Sequence, residues 1–125
     1  MTVLFQTRVT EVGPEVASLA EGGVLILFAE GAPAELAEVS VLHAVSHPAA
    51  EQAPVPGNII TIGSLSARIT AIGALAWKKV HEMGHVVINF NGETSNLRPG
   101  EICASALDTD ELVAALTVGQ TIQIH

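Results

Sequence analysis

The sequence predicts a mostly β fold, a small barrel or sandwich, and two observations carry that prediction. Short runs rich in Val, Ile, Leu and Thr recur along the chain, and almost every run is bounded by Gly, Pro or Asn-Gly. The apolar fraction is 49% but the only aromatics are Phe5, Phe28, Trp77 and Phe90, so the core must be aliphatic.

In chain order, "TVLFQTRVTEV" (2–12) is stopped by Gly13-Pro14, and "GVLILFA" (23–29) by Glu30-Gly31-Ala32-Pro33. "VSVLHAV" (39–45) runs into Ser46-His47-Pro48, and "NIITI" (58–62) follows Pro56-Gly57. "SARITAI" (66–72) lies between Gly63 and Gly73, and "HVVINF" (85–90) closes on Asn91-Gly92. "EICASAL" (101–107) opens after Pro99-Gly100, and "TIQIH" (121–125) ends the chain. Three short segments read as helices. Residues 14–20 start with Pro14, which the first helical turn tolerates, and 33–38 supplies one or two turns. Residues 74–83, "ALAWKKVHEM", are stopped by Gly84 as a C-terminal cap. The stretch 46–57 reads as a surface loop.

A chain of 125 residues suits one domain spanning 1–125, able to bury roughly two-thirds of its unfolded surface without disulfides or a structural metal. Five Lys/Arg against 13 Asp/Glu give a formal charge of −8, and the cations are scattered. Phosphate neutralisation needs clustered cations, so nucleic-acid binding is excluded, and an acidic membrane surface would repel the chain. A basic protein partner would be attracted. The lone Cys103 suits a reducing compartment. The opening "MTVLFQTRVTEVG" lacks the pattern of a signal peptide, and "VLILFA" (24–29) is far too short to span a bilayer. A cytoplasmic location is expected.

His43 stands out because a regular strand places it on the face shared by Val39, Val41 and Val45. Its spacing of four from His47, repeated between His81 and His85, invites a zinc reading. On a strand, positions four apart stand about 13 Å from each other, too far to share one ion. Pro48 holds His47 extended, and Gly84 separates the second pair. The residues alone favour a structural histidine satisfied by a neighbouring carbonyl. The functional reading instead needs a neutral, nucleophilic imidazole reaching solvent from a sheet face or barrel rim. His47 reads as a loop residue, His81 as a helix end and His125 as a tail. No G-x-S-x-G or phosphate-binding glycine loop occurs.

The opening "MTVLFQTRVTEVG", the blocks "LFAEGAPAELAEVSVLH" (27–43) and "MGHVVINFNG" (83–92), and "RPGEI" (98–102) carry a family likeness. The chain resembles the glucitol/sorbitol-specific IIA component of the bacterial phosphoenolpyruvate:sugar phosphotransferase system (PTS), with the loop 44–57 departing from it. The resemblance implies a closed β-barrel of about six main strands with one to three short helices. It also implies that His43, which ends the "EGAP…H" block, is the phosphohistidine. Phosphorylated HPr would give its phosphoryl group to Nε2, and the IIB component would pass it to sugar entering through the membrane component IIC. No cofactor or resident metal is expected. A hydrogen bond at Nδ1 would leave Nε2 bare, small apolar neighbours would exclude water, and an acidic rim would meet a basic patch on HPr. His85 is the first candidate to hold the phosphoryl oxygens, ahead of Ser40, Ser46 and Arg98. Two alternatives stay open: a non-catalytic binding barrel, and a metal-binding barrel using His43, His81 and His85.

Overall fold

The computed structural model describes residues 2–95 and 97–125. Among these, eight strands form a closed barrel: β1 (Phe5–Val12), β2 (Val24–Ala29), β3 (Val41–His47), β4 (Ile59–Ile62), β5 (Leu65–Ile72), β6 (Val86–Asn89), β7 (Glu101–Ala104) and β8 (Thr121–Ile124). Around the barrel they run β1-β3-β2-β6-β7-β5-β4-β8, and β8 pairs back onto β1. Every run that reads as a strand is therefore part of the barrel, and the expected count of about six is too low. The four-residue strands β4 and β8 complete the closure, with Ile60 opposite Ile124 and Ile62 opposite Ile122.

Six of the eight pairings are antiparallel; β2/β3 and β6/β7 run parallel and need crossovers. The first crossover carries α2 (Ala34–Ala37), which brings the "EGAP" segment directly onto the His43 strand. Strand alternation turns Leu25, Leu27, Ile60, Ile62, Ile69, Ile88, Ile102, Ile122 and Ile124 inward, all fully buried. The aliphatic core expected from composition is what fills the barrel.

Four short helices among the described residues decorate it. In α1 (Val16–Glu21), Val16 and Ala20 are buried. The best of the three helices expected, α3 (Ala76–Met83), ends at Gly84 as the sequence implies, with a left-handed φ of +60° there. Its buried face of Ala76, Trp77 and Val80 joins the core, where the Trp77 ring meets Phe5 edge-on at 6.2 Å. The indole N–H donates to the Ala50 carbonyl at 2.6 Å, pinning the 46–57 segment to the helix.

The fourth helix, α4 (Thr109–Ala115), adds to the three expected. It has a local signal: the Asp108 carboxylate caps the helix by accepting from the Glu111 N–H at 3.0 Å, three residues on. Leu112 and Leu116 then seat in the core.

Candidate functional site

His43 lies where β3 passes between β1 and β2, opposite Val9 and beside Ala29. The pleat turns it inward with Val41, as the alternation predicts. Val45, expected on the same face and paired with the buried Thr7, is nevertheless 46% exposed. On β1 the inward set is Phe5, Thr7 and Val9, so a second polar residue faces the same interior. The Thr7 hydroxyl sits 2.6 Å from His43 Nδ1. Phe5 meets the imidazole edge-on with centroids 6.1 Å apart.

The remaining nitrogen is also engaged. His43 Nε2 donates to the Gly84 carbonyl at 2.7 Å. Gly84 suits this position twice over, through its left-handed φ and through its lack of a side chain. A Cβ there would stand 3.1 Å from His43 Cε1, 3.2 Å from Nε2 and 3.0 Å from the Ala29 Cβ. The end of α3 thus lies directly over the ring, leaving it 1% exposed.

Two expectations therefore need revision. The ring does not reach solvent in this conformation, and Nε2 is not bare. The physical reason is the α3 terminus, whose buried carbonyl needs a donor and finds one in the imidazole. A carbonyl only accepts, so Nε2 carries the proton and Nδ1 accepts from the Thr7 hydroxyl. Burial pushes the His43 pKa down from its ordinary 6.5, against the opposing pull of the Gly84 carbonyl and the Glu30 carboxylate. The neutral ring is the expected one.

The other histidines disperse. His85 follows Gly84 in the chain but turns away, donating Nδ1–H to the Leu27 carbonyl at 3.1 Å and leaning on Phe28 with ring centroids 4.9 Å apart. It lines a surface groove of about 760 Å³ that also holds Lys79, Asn89 and Arg98. His81 donates to the Ala50 carbonyl at 2.9 Å. His47 ends β3 rather than lying in a loop, and is exposed. His125 belongs to the chain's end, its backbone paired with Ile59. Among the described residues no three His, Cys, Asp or Glu side chains are grouped to hold an ion, so the metal-binding alternative lacks a ligand set.

Ser46 is exposed. Ser40 is fully buried and its hydroxyl has no partner among the described residues. Cys103 is buried on β7, and burial pushes its thiol pKa up, away from nucleophilic use. Among the described residues no helix is long and apolar enough to cross a membrane.

The family model for the PTS system glucitol/sorbitol-specific IIA component matches residues 4–123. The chain belongs to the glucitol/sorbitol-specific IIA family. Two relatives are named PTS system glucitol/sorbitol-specific EIIA component, from Shigella flexneri and Escherichia coli (strain K12). Each is 32% identical over 112 residues, covering 90% of this chain and 89% of its own length. The crystal structure of a PTS system IIA component from Enterococcus faecalis V583 shares the fold, with a TM-score of 0.72 at 21% identity. That match covers 94% of this chain and 96% of the other. Among the described residues of this IIA family member, the barrel has eight strands and one imidazole sealed inside it.

Two members of the site lie outside the candidates that the sequence supplies. Thr7 carries the same signal as His43, a polar residue in phase with inward apolar neighbours Phe5 and Val9. Gly84 is legible as a helix cap, but its carbonyl has no side-chain signature.

Proposed function

We propose that this IIA component is a cytoplasmic phosphocarrier. His43 accepts a phosphoryl group from phosphorylated HPr and passes it to the IIB component during glucitol/sorbitol uptake through IIC. The observation that carries the reading is His43 itself: a neutral imidazole, fixed by two short hydrogen bonds, ending the "EGAP" block of a chain in this family. Transfer between carriers needs positioning and charge stabilisation more than covalent help, and a ring held at both nitrogens is preorganised. Because the ring is shut in, transfer requires the Gly84 carbonyl to lift. His85, next in the chain after Gly84, is the first candidate to meet the phosphoryl oxygens once that happens.

The sealed ring also favours a second reading, a structural histidine in a non-catalytic binding barrel. Intact-mass spectrometry separates the two. The protein is mixed with phosphoenolpyruvate, enzyme I and HPr, with and without mild acid, alongside His43→Ala. The carrier reading expects one acid-labile phosphoryl adduct, absent from the variant and formed more slowly in His85→Ala. No adduct on the wild type, with both upstream proteins active on a control, returns His43 to the structural class. Undiminished labelling of His43→Ala moves the site elsewhere.

A further inference from the structure

We infer that Thr7 is the positioning residue that keeps Nδ1 of His43 paired in both tautomers of the ring, so that Nε2 is the nitrogen that reacts. The inference rests on the phosphocarrier reading. At 2.7 Å from a carbonyl oxygen, Nε2 must bear the ring proton, because the carbonyl has only lone pairs to offer. A neutral imidazole has one N–H, so Nδ1 is the acceptor and the Thr7 hydroxyl, 2.6 Å away, donates to it. In this resting tautomer Nε2 has no lone pair to attack with.

A hydroxyl, unlike a carbonyl, both donates and accepts. Thr7 can therefore turn its O–H aside and accept from a proton placed on Nδ1. Nε2 is then bare, and its lone pair faces the lone pairs of the Gly84 carbonyl. Those cannot remain in hydrogen-bond contact, so the reactive tautomer and the closed α3 terminus exclude one another. The ring thus has two self-consistent states: Nε2–H on Gly84 with Thr7 donating, or Nδ1–H on Thr7 with Nε2 open. Of the other side chains packed around the ring, Phe5, Val9 and Ala29 offer no polar group, so Thr7 serves Nδ1 in both.

In the open state the Nε2 lone pair bonds to phosphorus as the N–P bond of the donor phosphohistidine breaks. The bonding pair returns to the donor nitrogen. The Nδ1 proton leaves through solvent and a proton is taken up by the donor ring, so a phosphoryl group and a proton change places between the two rings.

The test reads the ring directly. Nitrogen-15 NMR of the resting wild type should show His43 Nε2 protonated and Nδ1 bare and hydrogen-bonded. After phosphorylation by phospho-HPr, the phosphoryl group should sit on Nε2. In Thr7→Val, which keeps the shape and removes the hydroxyl, Nδ1 should take the signature of an unpaired nitrogen. Phosphorylation should slow about tenfold, because the ring gains positive charge as Nε2 bonds to phosphorus and the Nδ1–H bond to Thr7 strengthens there, and Thr7→Ser should recover most of the rate. A folded Thr7→Val labelled on His43 at the wild-type rate would sink Thr7 while leaving the carrier intact. Nδ1 protonated at rest, or a phosphoryl group on Nδ1, overturns the inference without any variant, which covers a Thr7→Val that fails to fold. Absence of any wild-type adduct removes the carrier reading and the role of Thr7 with it.

Discussion

Gly84→Ala should cost far more than an ordinary glycine replacement, and a second glycine in the same chain supplies the control. At Gly84 an alanine meets two penalties. Its φ of +60° is left-handed, which costs an L-residue about 1–2 kcal/mol. Its Cβ would also press on Ala29 at 3.0 Å and on the His43 ring at 3.1 and 3.2 Å. Forcing an extra carbon into a packed interior typically costs about 1–3 kcal/mol, and here it also displaces a 2.7 Å hydrogen bond. Gly92 has a φ of +69°, but a Cβ added there would meet nothing within 4 Å, so Gly92→Ala carries the first penalty alone. The expected losses are about 2–5 kcal/mol for Gly84→Ala and about 1–2 kcal/mol for Gly92→Ala. Urea unfolding of both variants at neutral pH measures the difference, with unchanged m-values as the check on two-state behaviour. Equal losses would refute the argument, because the contact with His43 would then count for nothing.

Other outcomes follow from the same site and its surroundings. His43→Ala should lose about 2–4 kcal/mol in denaturant unfolding, since it opens a cavity and strands the Thr7 hydroxyl and the Gly84 carbonyl; a loss under about 0.5 kcal/mol would mean the two bonds are idle. The depressed pKa of His43 has a definite sign: the unfolded chain takes up the proton near 6.5 while the folded ring resists it. Its contribution is therefore present above 6.5 and is lost as pH falls from there toward the folded pKa, by at most about 1.4 kcal/mol per pH unit. The stability gap between wild type and His43→Ala should narrow on that acid side, and a constant gap would contradict it. Asp108→Ala should cost about 1 kcal/mol by uncapping α4, and Asp108→Ser should restore most of it; equal unfolding midpoints for all three proteins would show the cap to be unimportant.

Much of the barrel is legible in the sequence because period-two alternation and Gly/Pro punctuation are local signals. β5, for example, reads as 66–72 and runs Leu65–Ile72. The number of strands is not legible, since closure depends on long-range partners such as Ile60 with Ile124. β7 is three residues shorter than its β-prone composition suggests. "SAL" continues that composition, whereas at Ser105 the strand ends: its N–H still donates to the Arg68 carbonyl at 2.8 Å, but its hydroxyl, not its carbonyl, accepts from the Arg68 N–H at 2.9 Å. α4 escapes a reading led by strand punctuation, because its signal is the spacing of Asp108 and Glu111 rather than a Gly or Pro boundary. At the site, the inward phase of His43 follows from alternation, but its confinement does not. The residue that confines it lies 41 positions away and acts through its backbone.

The placement of Trp77 gives the molecule an optical reporter at its most informative point. It is the sole tryptophan, it sits on the helix whose end covers His43, and its N–H is tied to Ala50 at 2.6 Å. Any rearrangement that lifts this helix must carry the indole with it or break that bond. Emission from one native fluorophore, followed during mixing with a phosphorylated carrier, would therefore time the uncovering of the imidazole separately from the chemistry that follows.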